Sequence, residues 1–186
     1  MKCSIPSVAA VATVLAGWAF SLGLVGCEPT NQDYAPAQPI VYSHAVHAGE
    51  LQIQCQYCHF GAERGRYAGV PPVQVCMNCH SQTATTHPEV QKLAAALKSG
   101  TPIEWVRVHW IPDHVYFSHS PHVNAGIKCQ RCHGPIEEMG RVKQWAPLTM
   151  GWCVNCHRDN APNSVLNQAG ATRQSNRLTD CGTCHH

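Results

Sequence analysis

Five copies of one short pattern run through this chain: Cys55-Gln-Tyr-Cys58-His59, Cys76-Met-Asn-Cys79-His80, Cys129-Gln-Arg-Cys132-His133, Cys153-Val-Asn-Cys156-His157 and Cys181-Gly-Thr-Cys184-His185. Cys-x-x-Cys-His is the attachment signature of c-type haem. The two thiols add to the haem vinyl groups as thioethers, and the adjacent imidazole is held over one ring face as proximal iron ligand. Paired cysteines also serve zinc ribbons and disulfides. Neither needs an imidazole straight after every second cysteine. With 13 His in 186 residues, a His would stand there by chance about 0.07 of the time, and in all five copies about once in a million. Five pairs also fail to divide into four-cysteine zinc sites. The pattern therefore predicts five covalently attached haem c groups, held through those ten cysteines with His59, His80, His133, His157 and His185 as proximal ligands.

Eight imidazoles remain for the far side of each iron: His44, His47, His87, His109, His114, His119, His122 and His186. Two His-x-x-His pairs stand ahead of the first and third motifs, in Tyr42-Ser-His44-Ala-Val-His47 and Phe117-Ser-His119-Ser-Pro-His122. His44 and His47 are expected to face adjacent haems, as are His119 and His122. For the fifth position the sequence favours His109, within Trp105-Val-Arg-Val-His109-Trp110, over the thioether of Met150. Methionine there would raise that haem's potential. His87 reads as a cap or neighbour of a helix, and His114 and His186 as bystanders.

The elements that must position these groups are sparse. Only 13% of residues are charged and only 3 are Phe, yet mean hydropathy is −0.21. An ordinary apolar core is hard to build from this inventory once the N-terminal run is set aside. The expected fold is a multihaem cytochrome c: mostly irregular coil with short α-helices wrapped around five haems, with little or no β-sheet. A duplication organises it. Residues 41–80 and 116–157 look like two copies of a two-haem unit, offset by 74 to 77 positions. The clearest helix runs from Thr86 to Gly100, with Pro88 at its first position, Glu89 in its first turn, Val90, Leu93 and Leu97 on one face and Gly100 ending it.

At the N-terminus Lys2 precedes a continuous apolar or small stretch from Val8 to Val25, whose end runs into Gly26-Cys27 so that Leu24-Val-Gly-Cys27 stands in lipobox-like order. Residues 1–26 thus read as a lipoprotein-type export signal, with an uncleaved anchor helix as the alternative. Residues 27–40 would form a stiff polar tether from lipidated Cys27, residues 41–100 the first two-haem unit with its helix, and residues 101–186 the second unit with the fifth haem. Lys/Arg and Asp/Glu are nearly balanced, 13 against 11, so haem propionates would make the loaded protein acidic. Arg64, Arg66, Arg107, Arg131, Arg141 and Lys143 are candidate propionate partners rather than a nucleic-acid patch.

Beyond the motifs, longer blocks carry a family resemblance. His44-x-x-His47-Ala-Gly through Cys58-His59, Gly69-Val-Pro-Pro-Val-Gln-Val-Cys76-Met-Asn-Cys79-His80, Ile103-Glu-Trp-Val-Arg-Val-His109 through His122, and Met150-Gly-Trp-Cys153 resemble the pentahaem cytochrome c subunit of alternative complex III. That resemblance spans most of residues 40–186. It implies an electron-transfer subunit on the periplasmic side of the bacterial inner membrane, attached to a quinol-oxidising complex. Its partners would be an iron–sulfur subunit, polytopic quinol-binding subunits and a monohaem cytochrome. It implies no catalysis by the chain itself. The competing functions are a free-standing periplasmic shuttle and a multihaem reductase. A reductase needs an open iron position, which spare imidazoles and five intact motifs argue against.

Overall fold

The computed structural model describes residues 30–160 and 178–185. The export or anchor segment, Cys27 and His186 lie outside them. Among the described residues there is no strand, and the secondary structure is a series of short helical pieces. Among the described residues the first element is a π-helical turn, Ala45–Glu50. Six α-helices follow: α1 Cys55–Cys58, α2 Val73–His80, α3 Pro88–Ser99, α4 His119–Asn124, α5 Gln130–His133 and α6 Met150–Asn160. Two 3-10 turns, Ile136–Glu138 and Cys181–Thr183, complete the set.

Each attachment motif occupies one of these helical pieces. Positions three apart on a helix lie on one face, so a single turn points both thiols of a Cys-x-x-Cys pair the same way. α3 matches its sequence signals. Pro88 takes the first helical position, the His87 ring accepts from the Glu89 N–H at 3.2 Å, and Gly100 ends the helix with φ 70°. That left-handed conformation suits glycine. Val90 and Leu93 are buried, whereas Leu97 is 38% exposed. Glu89 reaches back to accept from the Val41 N–H at 2.8 Å and pairs with Lys92 at 2.7 Å. α3 therefore packs on α2 and also anchors the chain as it enters the first unit.

The buried apolar side chains among the described residues are Ile40, Ala62, Val90, Leu93, Met139 and Ala146. They are few and mostly small. What joins the two repeats is reciprocal docking. The π-helical turn Ala45–Glu50 packs on Ile136–Glu138, where the Ala45 N–H donates to the Met139 carbonyl at 3.1 Å and Gly49 lies flat against the Glu137 carbonyl. In the other direction α4 sits on the loop after the first motif. His119 N–H donates to Arg66 O at 3.2 Å, Ser120 N–H to Gly65 O at 3.1 Å and the Ser120 hydroxyl to Glu63 O at 2.8 Å. The two receiving loops share a sequence, Glu63-Arg-Gly-Arg66 and Glu138-Met-Gly-Arg141. Each also closes on its motif through a glutamine: Gln56 donates to Glu63 at 2.6 Å, and Gln130 to Glu137 at 3.3 Å. Like surfaces exchanged between two copies are the logic of a two-fold interface, here within one chain.

Candidate functional site

Five pairs of imidazoles face one another. His44 stands opposite His59 with ring centroids 6.4 Å apart and planes 8° from parallel. In the second repeat, His119 stands opposite His133 at 6.4 Å and 9°. His47 faces His80 at 6.0 Å and His122 faces His157 at 5.9 Å. The last pair is His114 with His185, at 5.4 Å and 19°. Metal–nitrogen bonds of about 2 Å on either side of an ion, plus the reach from each ring centre to its nitrogen, put trans imidazoles about 6 Å apart. Direct stacking would bring them closer, and unrelated rings would show no common spacing. The donors also meet in twos: among the described residues no three His, Cys, Asp or Glu side chains gather in a metal-holding group. Two axial nitrogens suit a macrocycle that brings its own four equatorial donors.

One ring in each repeat orients two of these imidazoles. Tyr42 lies 4.8 Å from His44, edge-on, and 4.4 Å from His47, stacked. Phe117 does the same for His119 at 4.9 Å and His122 at 4.8 Å. The helical turn supplies the spacing and the aromatic wedge fixes the ring planes. Nδ1 atoms are then held from behind. The acceptors are carbonyls for His47 (Ser43, 2.8 Å), His122 (Ser118, 2.8 Å), His119 (Arg66, 2.8 Å), His59 (Gly69, 2.6 Å), His80 (Thr83, 3.0 Å), His157 (Leu178, 2.7 Å) and His185 (His114, 3.2 Å). A carbonyl can only accept, so each of these Nδ1 atoms carries the proton and leaves Nε2 as the free donor.

The protonation states suit ligation. Burial, then the neighbouring His59 and His47, lowers His44 to about 4. Burial, then His109 and His119, lowers His133 to about 3. Both rings are neutral over the ordinary pH range, as a metal requires. The thiols move the other way. Burial raises Cys58, with Cys76 next to it adding to the effect, and raises Cys132 to about 11 with Cys156 adding. Burial also raises Cys129, beside Cys55, and Cys153, beside Cys184. With no metal bound, such groups are protonated thiols at neutral pH. The same neighbours show the second motif adjoining the first, the first the third, the third the fourth and the fourth the fifth. No disulfide joins any of the ten motif cysteines.

The chain is 31% identical to the menaquinone reductase multiheme cytochrome c subunit of Nitratidesulfovibrio vulgaris, over 94% of this chain and 76% of that protein. Residues 115–186 match the family of cytochrome c7 and related cytochrome c. This protein is a multihaem cytochrome c. Covalently bound haem c follows from the family, and the paired imidazoles and adjacent thiols fit it.

In the cytochrome, the His109 ring meets the ring of His133 directly. The two rings lie 4.4 Å apart, too close for an ion between them, and His109 Nε2 is 3.2 Å from His133 Nδ1. The ring that faces His185 of the fifth motif is that of His114. Tyr116 N–H donates to the Cys184 carbonyl at 2.6 Å, and this bond brings the turn carrying His114 alongside Cys181–Thr183. Met150 opens α6 and is 67% exposed, so it neither packs against Trp152 as a buried residue nor enters a ring pair. The cationic side chains lean on aromatic faces. Arg66 lies 4.1 Å over Tyr116, Arg107 4.5 Å over Trp110, and Lys143 bonds Asp33 at 2.5 Å.

Proposed function

We propose that this cytochrome carries five haem c groups, each bound by one Cys-x-x-Cys pair and two imidazoles: His44 and His59, His80 and His47, His133 and His119, His157 and His122, His185 and His114. The observation that supports this most directly is the common spacing of the five ring pairs, from 5.4 to 6.4 Å. Haem c, when bound, supplies a one-electron iron couple. The protein's part is to hold each imidazole rigidly on both sides, so that no position opens for a substrate and reduction calls for little rearrangement. The function is electron relay along adjoining sites, without catalysis by this subunit.

The relay belongs to a membrane quinone-linked complex. Two independent likenesses support that reading: the blocks shared with the pentahaem subunit of alternative complex III, and the relative whose name is a menaquinone reductase subunit. The first would send electrons from quinol, through iron–sulfur and polytopic partners, towards a cytochrome or oxidase. The second would send them towards menaquinone. The chain works on the periplasmic side of the bacterial inner membrane, held by lipid on Cys27 or by the N-terminal helix. Mild solubilisation followed by native separation tests membership: the pentahaem band travels with polytopic and iron–sulfur subunits, whereas a band travelling alone means a free-standing shuttle. Mixing the isolated complex with a menaquinol analogue or a reduced periplasmic cytochrome shows which donor reduces it. Haemochrome analysis tests the count, since any number other than five per chain contradicts the assignment.

A further inference from the structure

His109 has a half-buried place and a specific partner, yet it faces no motif histidine across an iron-sized gap. Resting on the ligand assignment above, we infer that His109 is a positioning residue for the third site, accepting the Nδ1 proton of His133 and thereby setting that site's reduction potential below what a backbone carbonyl would give. The geometry is specific. His109 Nε2 lies 3.2 Å from His133 Nδ1. The other four motif histidines turn Nδ1 towards a carbonyl: Gly69, Thr83, Leu178 or His114. The third site alone among them has a side-chain acceptor, and an imidazole nitrogen is a far stronger base than an amide oxygen. A stronger acceptor draws the Nδ1 proton, raises the basicity of the coordinating nitrogen and stabilises the ferric state.

The fold takes trouble to deliver this ring. Residues around His109 form no helix or strand, so two glutamines hold them instead. Gln38 accepts from the Val106 N–H and donates to the Val106 carbonyl, both at 2.9 Å, as a neighbouring strand would. Gln144, only 1% exposed, accepts from the Trp110 N–H at 3.0 Å and donates to Ala146 O at 3.2 Å. Its own backbone exchanges bonds with the tether, through Asp33 N–H at 2.8 Å and Tyr34 O at 3.0 Å. Arg107 Nε bonds the His109 carbonyl at 2.9 Å. The stretch is thus fixed on both sides of His109.

The test uses the full-length haem-loaded protein with H109L, which removes the acceptor, and H109Q, whose side-chain oxygen can still accept. The expected result for H109L is unchanged haem content, every haem low-spin, and one wave of the redox titration shifted upward. A tenfold change in that site's oxidised-to-reduced ratio at fixed potential would be about 59 mV for one electron. H109Q should return most of the shift. H109F, which fills the space without an acceptor, gives the same reading where H109L does not accumulate. If no wave moves, or if all three variants move it equally, the inference is overturned and His109 only fills space. Conversion of one haem to high spin would instead make His109 an iron ligand and overturn the pairing on which the inference stands. Wild-type haem content and spin state report separately on that pairing.

Discussion

His114 faces His185 across 5.4 Å with ring planes 19° apart, although 71 residues separate them in sequence. On this pairing rests the proposal that His114 is the distal partner of the last attachment motif. Replacing it should leave the corresponding iron five-coordinate while the other pairs stand. H114A is expected to keep all its haems and to show one of them high-spin and open to cyanide. A fully low-spin H114A protein, with cyanide excluded, would remove His114 from the ligand set.

Much of this site is legible in the sequence because it is local. Two thiols and an imidazole within five residues declare themselves by spacing alone. The His-x-x-His turns with Tyr42 and Phe117 repeat with a constant offset, and α3 carries its stop and start signals in Pro88 and Gly100. The choice between His109 and His114 is not local. Both lie in a stretch without hydrophobic period, five residues apart, and which of them meets His185 is decided by the Tyr116–Cys184 bond and by the grip of Gln38 and Gln144. Such long-range bonds leave no periodic mark. One signal was available: the fifth motif lacks its own His-x-x-His, so its partner had to come from the irregular stretch before Phe117.

Gly49 is where the first repeat presses on the second. A methyl group there would overlap the Glu137 carbonyl, which is backbone and cannot swing aside. G49A should therefore separate the π-helical turn from Ile136–Glu138, at a cost of about 1–3 kcal/mol typical of overpacking. Gly65 sits on the reciprocal contact but has open space around its α-carbon, so G65A is the control. Chemical denaturation followed in the visible spectrum measures both. Equal stability of G49A and wild type would mean that the two repeats do not depend on this contact.

Gln144 is buried and bonded at both ends of its amide. Leucine of similar volume would leave the Trp110 N–H and the Ala146 carbonyl without these partners. Each buried polar group stripped of its partner costs about 1–3 kcal/mol. Q144L should lower stability by at least that much, and Q38L, at a more exposed position with two bonds, by less. Q144L should also loosen His109, moving the same redox wave as H109L. A Q144L protein with wild-type stability and an unmoved wave would mean that Gln144 does not hold the His109 stretch.

Acid should weaken the fold over a window set by the buried imidazoles. Unfolded, His44 and His133 would take a proton at the ordinary value of 6.5, whereas in the folded chain burial holds them to about 4 and about 3. Between these values the unfolded chain binds more protons than the folded one, so stability falls as pH falls. The contribution is complete above about 6.5 and is lost progressively on descending towards 4 and then 3. Iron ligation acts with the same sign, because a proton competes for the coordinating lone pair. The denaturant midpoint of the low-spin spectrum should therefore drop steadily from pH 7 to pH 4. A midpoint that stays level across that range would show that these two rings are not buried as neutral ligands.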